Sequence, residues 1–172
     1  LCGTMSVGKT TLVNALKETE QFKGYNFATE RSKYLSNLGI PLNTDSTLKG
    51  QTVFLAERCA ELMQDNIITD RTVFDVMAFT MNAKSIAHQD KDIFEKYAKE
   101  FVREYDYIFY ISPYGLPIED NGVRETDEHY RDLIDFTITT LIKRYSHKCN
   151  TIEKISGSTE ERIQQILTVT GL

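Results

Sequence analysis

The sequence predicts a three-layer α/β domain in which a parallel sheet of about five strands is covered on both faces by helices. Three observations carry that prediction. Short apolar runs rich in β-branched and aromatic residues alternate with segments of helical periodicity along the 172 residues. The strand-like runs end in charged residues or glycine, and a complete phosphate-binding pattern stands at the start of the chain.

That pattern is Gly3-Thr4-Met5-Ser6-Val7-Gly8-Lys9-Thr10, which satisfies G-x-x-x-x-G-K-[ST] at every fixed position and is followed by Thr11. The glycines let the backbone curl so that successive N–H groups point inward at β- and γ-phosphates, with the positive end of the next helix behind them. Lys9 is expected to bridge those phosphates, and Thr10 to supply the hydroxyl that sits on Mg²⁺. The fold expected is therefore that of a P-loop NTPase. Only Leu1 and Cys2 precede Gly3. Most of the strand leading into such a loop, about four to six apolar residues, is expected upstream of the sequence.

The remaining elements follow in order. Leu12, Val13, Ala15 and Leu16 recur at helical spacing. Residues 25–29 alternate as a short strand ending in Glu30-Arg31, and 32–38 read as a helix closed by Gly39. Residues 42–50 are a polar loop, 52–64 a helix, and Ile67-Ile68-Thr69 a buried strand running into Asp70-Arg71. Two helices are expected over 73–86 and 92–104. Tyr107-Ile108-Phe109-Tyr110-Ile111 is the strongest strand, stopped by Ser112-Pro113. The aromatic run 101–110 reads better as core than as a base-stacking surface, because it lies in that strand and the helix before it. A polar, Gly- and Pro-punctuated stretch leads into a long helix over 127–145, and a last strand over 151–155 meets Gly157 and a helix over 159–167. The stretch from about 113 to 127 has the composition of a lid.

Bulk properties narrow the class. The length suits one α/β domain, and no linker, repeat or low-complexity run divides it. No stretch approaches a membrane span and no signal segment is visible; a reducing cytoplasm, the host's for a phage-encoded chain, is the default expected from three scattered cysteines. Cys2, Cys59 and Cys149 lack the spacing of a disulfide framework or zinc site, and His88, His129 and His147 lack ligand-spaced partners. A net charge of −5 speaks against a protein that coats nucleic acid, while leaving room for a local basic cleft. A homodimer is left open.

In a parallel sheet ligands gather at the carboxyl ends of the strands. There the P-loop, Glu30-Arg31, Asp70-Arg71, Pro113 and Gly157 converge. Asp70 is placed to hold Mg²⁺ or to act on the acceptor, and Arg71 to grip an anionic substrate; the alternative is a solvated strand end. Glu30 reads either as a base for a sugar hydroxyl, with Arg31 on substrate, or as an N-cap or surface ion pair. Arg124 is the cation a closing lid would bring to the phosphates, and Arg131, seven residues on, either reaches the same phosphates or forms a surface salt bridge. Gly157 offers backbone to an adenine ring. Ser158 and Thr159 read equally as helix caps with Glu161 or Arg162 in the first turn.

These residues resemble P-loop kinases related to the ribosylnicotinamide-kinase domain of bacterial NAD regulators and the small kinases, called AAA-type ATPases, of many large bacteriophages. The resemblance rests on the P-loop, Thr29-Glu30-Arg31, Asp70-Arg71-Thr72-Val73-Phe74-Asp75, Asp120-Asn121-Gly122-Val123-Arg124 and Gly157-Ser158-Thr159-Glu160-Glu161-Arg162. The Asp-Arg pair is also similar to that of thymidylate and deoxynucleoside kinases. The resemblance implies an ATP- and Mg²⁺-dependent kinase acting on a nucleoside, a nucleotide or a related hydroxyl. A phage kinase that phosphorylates 5-hydroxymethyluracil within DNA during base hypermodification is the alternative, and a non-kinase P-loop ATPase a further one. A regulatory GTPase is disfavoured, since neither Asp-x-x-Gly nor Asn-Lys-x-Asp occurs in the chain.

Overall fold

A computed structural model describes residues 1–29, 31–118 and 126–172. Two parallel strand pairs form its centre. β1 (Asn26–Ala28) runs beside β2 (Ile67–Thr69), and β3 (Tyr107–Ile111) beside β4 (Thr151–Ile155). Leu1 and Cys2 lie between the pairs. The Leu1 amino group donates to Thr69 O at 2.5 Å, Cys2 N donates to Phe109 O at 2.8 Å, and Ile111 N donates to Cys2 O at 2.9 Å. The expected five strands thus become four among the described residues, with the fifth place held by a single parallel bridge from Cys2 to Tyr110.

The layers follow from the pleat of β3, where successive side chains point to opposite faces. Ile108 packs with helices α3 (Leu48–Leu62), α4 (Val73–Asn82), α5 (His88–Ala98) and α6 (Glu128–Tyr145), whereas Phe109 and Ile111 pack with α1 (Lys9–Lys17) and α7 (Thr159–Thr170). The first core is built from fully buried Val73, Phe74, Met77, Ile134 and Ile138, the second from Leu12, Val13 and Leu16. Each such side chain contributes about 1.5–3 kcal/mol when taken from water. Of the aromatic run, Tyr105 and Phe109 are buried, Phe101 and Tyr110 are half-buried, and Tyr107 is exposed.

Helix boundaries moved where caps decided them. The short helix after β1, α2, covers Ser32–Asn37. α3 begins four residues before the periodicity suggested, because the Thr47 side chain caps it by accepting from Gly50 N at 3.1 Å. α4 stops at Asn82 rather than 86, since Ala83 is extended and Lys84 N donates to Thr44 O at 2.9 Å. The helix expected over 92–104 divides into α5 and a 3₁₀ segment, Lys99–Glu104. α7 continues to Thr170 and ends on Gly171, whose φ is 74°. No described helix is long and apolar enough to cross a membrane.

Candidate active site

The loop after Cys2 is held from below by backbone and from the side by a buried carboxylate. Gly3 packs so closely on β3 that a Cβ would stand 2.5 Å from Ile111 O, at a φ of 150°, which reserves the position for glycine. Gly8 adopts a left-handed φ of 81° as the N-cap of α1, turning the loop into the helix. Lys9 is 7% exposed and donates to Gly3 O at 2.5 Å and Thr4 O at 2.6 Å. Burial pushes its pKa down to about 8, with Arg71 adding to the depression and Asp75 and Asp70 opposing it.

Asp70 and Asp75, both essentially buried, hold different things. Asp70 follows β2, where its N–H donates to Ala28 O at 3.2 Å, and its Oδ2 accepts from Thr10 Oγ1 at 2.7 Å. Its Oδ1 is buried without a hydrogen-bond partner. Asp75, the third residue of α4, closes a capping box with Thr72. Its Oδ2 accepts from Thr72 N and Thr72 Oγ1, both at 2.8 Å, and its Oδ1 accepts from Gly3 N at 3.1 Å. The same Oδ1 lies 3.9 Å from Lys9 Nζ and 4.0 Å from Arg71 Nη1. One carboxylate therefore ties the phosphate loop to the segment after β2.

Two hollows open on this cluster. The first, about 280 Å³, is lined by 5–11 of the loop, Asp70, Arg71, Leu116, Pro117, Gly157–Thr159 and Arg162. The second is a cleft of about 60 Å³ between α2, α3 and α4, walled by Phe54, Val76, Phe79 and Leu42 and by the polar side chains of Ser32, Asn43, Ser46 and Gln51. Met5 and Arg71 line both. Arg71 stands over the Phe79 ring with its guanidinium carbon 5.1 Å from the centroid. Ser46 Oγ is fully buried with no hydrogen-bond partner, and Gln51 is 3% exposed.

Among the residues singled out from sequence, Gly3 and Thr4 lie behind these hollows and accept from Lys9, while Met5 to Thr11, Asp70, Arg71 and Gly157 line them. Arg31 does not. It is exposed, pairs with Glu57 at 3.6 Å and lies over the Tyr34 ring at 4.4 Å. Arg131 does not line the phosphate hollow and makes no ion pair among the described residues: buried, it donates from Nη1 to Leu116 O at 2.7 Å. Ser158 is a true N-cap, with Glu161 N donating to its hydroxyl at 3.2 Å and Ser158 N donating to Glu161 Oε2 at 2.7 Å. Glu30 and Arg124 fall outside the described residues. His88, His129 and His147 are all exposed, and no group of three His, Cys, Asp or Glu suited to a metal occurs among the described residues.

With this geometry in place, comparison with known proteins is informative. A family model described as "AAA domain" matches residues 1–162. The chain belongs to this AAA-domain family. No curated protein matches it. Similar solved structures include a deoxyadenosine kinase from M. mycoides with bound dCTP, at 17% identity and a TM-score of 0.65, covering 99% of this chain and 96% of that one. A second structure of that kinase, with the products dCMP and a flexible dCDP, gives the same identity and TM-score over 98% and 96%. At this identity the likeness establishes the fold: an α/β P-loop architecture, shared by this member of the AAA-domain family.

Sequence reading gave no site role to several residues that the structure brings to the site. Asp75 was discoverable, since Thr72-x-x-Asp75 ahead of an apolar run is a capping-box signature. Ser46 and Gln51 sit in a loop and on a helix face with no local signal. Arg162 reaches Val7 O across 155 residues of sequence, at 2.8 Å from Nη1.

Proposed function

We propose that the chain is an ATP- and Mg²⁺-dependent phosphotransferase that moves the γ-phosphoryl group of ATP to a hydroxyl or phosphate of a nucleoside- or nucleotide-like acceptor. The observation that carries this reading is the pair of adjoining hollows that share Met5 and Arg71. An ATPase needs only the phosphate hollow; a second cleft opening beside it gives an acceptor a place to meet the γ-phosphorus. The flat apolar walls of Phe54 and Phe79 suit a heterocyclic ring, the Ser46 hydroxyl and Gln51 amide suit its polar edge, and Arg71 suits the oxygen-bearing end. The likeness to a kinase whose solved complexes hold dCTP or dCMP supports the same acceptor class.

The residues present fit a magnesium ion. Thr10 Oγ1 and the unpartnered Asp70 Oδ1 would hold it, directly or through water, as expected for a hard cation that takes most of its ligands from phosphate and water. When bound, the ion neutralises the triphosphate. The chain's own part is alignment: loop N–H groups and Lys9 bind the donor phosphates, while Arg71 orients the acceptor. The acceptor oxygen then bonds to the γ-phosphorus as the bond to the β–γ bridging oxygen breaks, ADP leaves, and the hydroxyl proton passes to a carboxylate, Glu30 or Asp70. Arg124, from the lid, and Glu30 complete the set on the strength of sequence alone. The net charge of −5 favours a free acceptor over 5-hydroxymethyluracil in DNA.

The test is transfer from γ-labelled ATP to a panel of nucleosides, monophosphates, ribosylnicotinamide and 5-hydroxymethyluracil DNA. Label in a nucleoside or nucleotide is expected, and Lys9→Ala should abolish it. Label in the DNA would replace the acceptor assignment. Release of inorganic phosphate with every acceptor left unlabelled would refute the kinase reading.

A further inference from the structure

Arg162 is 7% exposed, and no carboxylate among the described residues lies within salt-bridge distance of it. Its Nε is buried without a partner, and its one hydrogen bond runs from Nη1 to Val7 O. The absent Cβ of Gly8 leaves it room, since a Cβ there would stand 3.3 Å from Nη1. A buried cation without a counter-charge is costly, and the cost is ordinarily offset by a partner. Arg162 lines the phosphate hollow, so the partner it lacks is one that enters that hollow.

Its position says which part of a ligand that is. The N–H groups of the loop converge on the concave side, where the phosphates are cradled, but Arg162 grips a carbonyl oxygen of the same loop. It projects from the first turns of α7, directly after the Gly157–Thr159 wall, with Leu116 and Pro117 also lining the hollow. Those walls join the apolar carbon of Leu116 and Pro117 and the bare backbone of Gly157 to the hydroxyls of Ser158 and Thr159, surfaces that suit a heterocyclic ring and its polar edge. A guanidinium lining such a space can stack on an aromatic face and donate to a ring edge in a way an ammonium does not.

We propose that Arg162 binds the purine ring of the donor nucleotide while anchoring the P-loop at Val7, and so links recognition of the base to the shape of the phosphate cradle. This rests on the reading of the hollow as an ATP site.

The experiment measures Kd by calorimetry for Mg·ATP and for magnesium tripolyphosphate, which keeps the phosphates and lacks the base. Arg162→Lys retains the charge and a donor for Val7 O but loses the planar face; Arg162→Met loses all three. In both variants the ratio of Kd for Mg·ATP to Kd for tripolyphosphate should rise at least about fivefold over wild type. Arg162→Lys should leave tripolyphosphate binding within about twofold. An unchanged ratio, with both ligands weakened in parallel, would make Arg162 a strut for the loop and overturn the proposal while leaving the ATP site standing. Wild-type chain that binds tripolyphosphate but not Mg·ATP more tightly would overturn both.

Discussion

Replacing Asp75 should unseat the phosphate loop and the start of α4 together. Its carboxylate is fully buried and accepts from Gly3 N, Thr72 N and Thr72 Oγ1. Asp75→Ala leaves those donors without a partner, at about 1–3 kcal/mol for each that stays dry. It also removes a counter-charge beside the buried Lys9, a loss of the kind that costs about 3–5 kcal/mol when one member of a buried pair goes. These terms overlap, because the loop can relax and admit water. A net loss of about 4 kcal/mol follows, near 10 °C in Tm for a chain of this size. Thr72→Ala removes the cap but not the contacts to Gly3 and Lys9, and should cost only about 1 kcal/mol. Asp75→Asn, which keeps one acceptor oxygen and turns an NH₂ toward the other donors, should fall between them. Urea unfolding followed by far-UV circular dichroism gives all three. If Asp75→Ala lost less than about 1 kcal/mol, or no more than Thr72→Ala, the shared-carboxylate account would be wrong.

Two further outcomes are expected. Asp70→Asn should raise the Mg²⁺ concentration needed for half-maximal transfer by about tenfold, since it neutralises the one buried oxygen free for the ion's shell; an unchanged metal titration removes Asp70 from that role. Glu61 has its pKa raised from 4.5 to about 7 by burial, which outweighs the Arg58 guanidinium 2.6 Å away. The folded chain therefore binds a proton that the unfolded chain has released between those values, so stability should fall by about 3 kcal/mol as pH rises from 4.5 to 7 and level off above. Glu61→Gln should flatten that part of the profile in urea midpoints taken at pH 5 and pH 7.5. Parallel curves for the two proteins would show that Glu61 does not titrate there.

What the sequence disclosed and what it hid divide along the range of the interactions. The phosphate loop is legible because its chemistry is local: the turn, the lysine and the helix start lie within nine residues, and the backbone supplies most of the contacts. Asp70-Arg71 is legible because a strand end is marked by the change from Ile67-Ile68-Thr69 to charge. Arg131 shows the limit. Helical spacing places it in α6, but whether that face meets the phosphates or the segment after β3 depends on how α6 packs, and the structure gives it to Leu116 O. Arg31 is likewise set by distant packing, which brings Glu57 of α3 to it while Tyr34 lies under its guanidinium. The cleft beside Arg71 is assembled from a loop, three helices and Met5 of the P-loop, no two of which announce one another in sequence.

The charges around the two hollows explain why an unpaired arginine is tolerated at their edge. Lys9 and Arg71 are matched by Asp70 and Asp75, so this inner cluster is close to neutral before any ligand enters. A magnesium-bound triphosphate brings about two negative charges into that low-dielectric space. Lys9 can turn from the Gly3 and Thr4 carbonyls toward the phosphates, but its charge is already counted against Asp75. Further positive charge has to come from outside the inner cluster. Arg162 supplies one such charge in place, with no carboxylate among the described residues within salt-bridge distance to cancel it. A carboxylate set beside Arg162 would stabilise the empty chain and weaken the donor site by the same interaction. Its absence is what a nucleotide-binding hollow requires of a cation that must stay available.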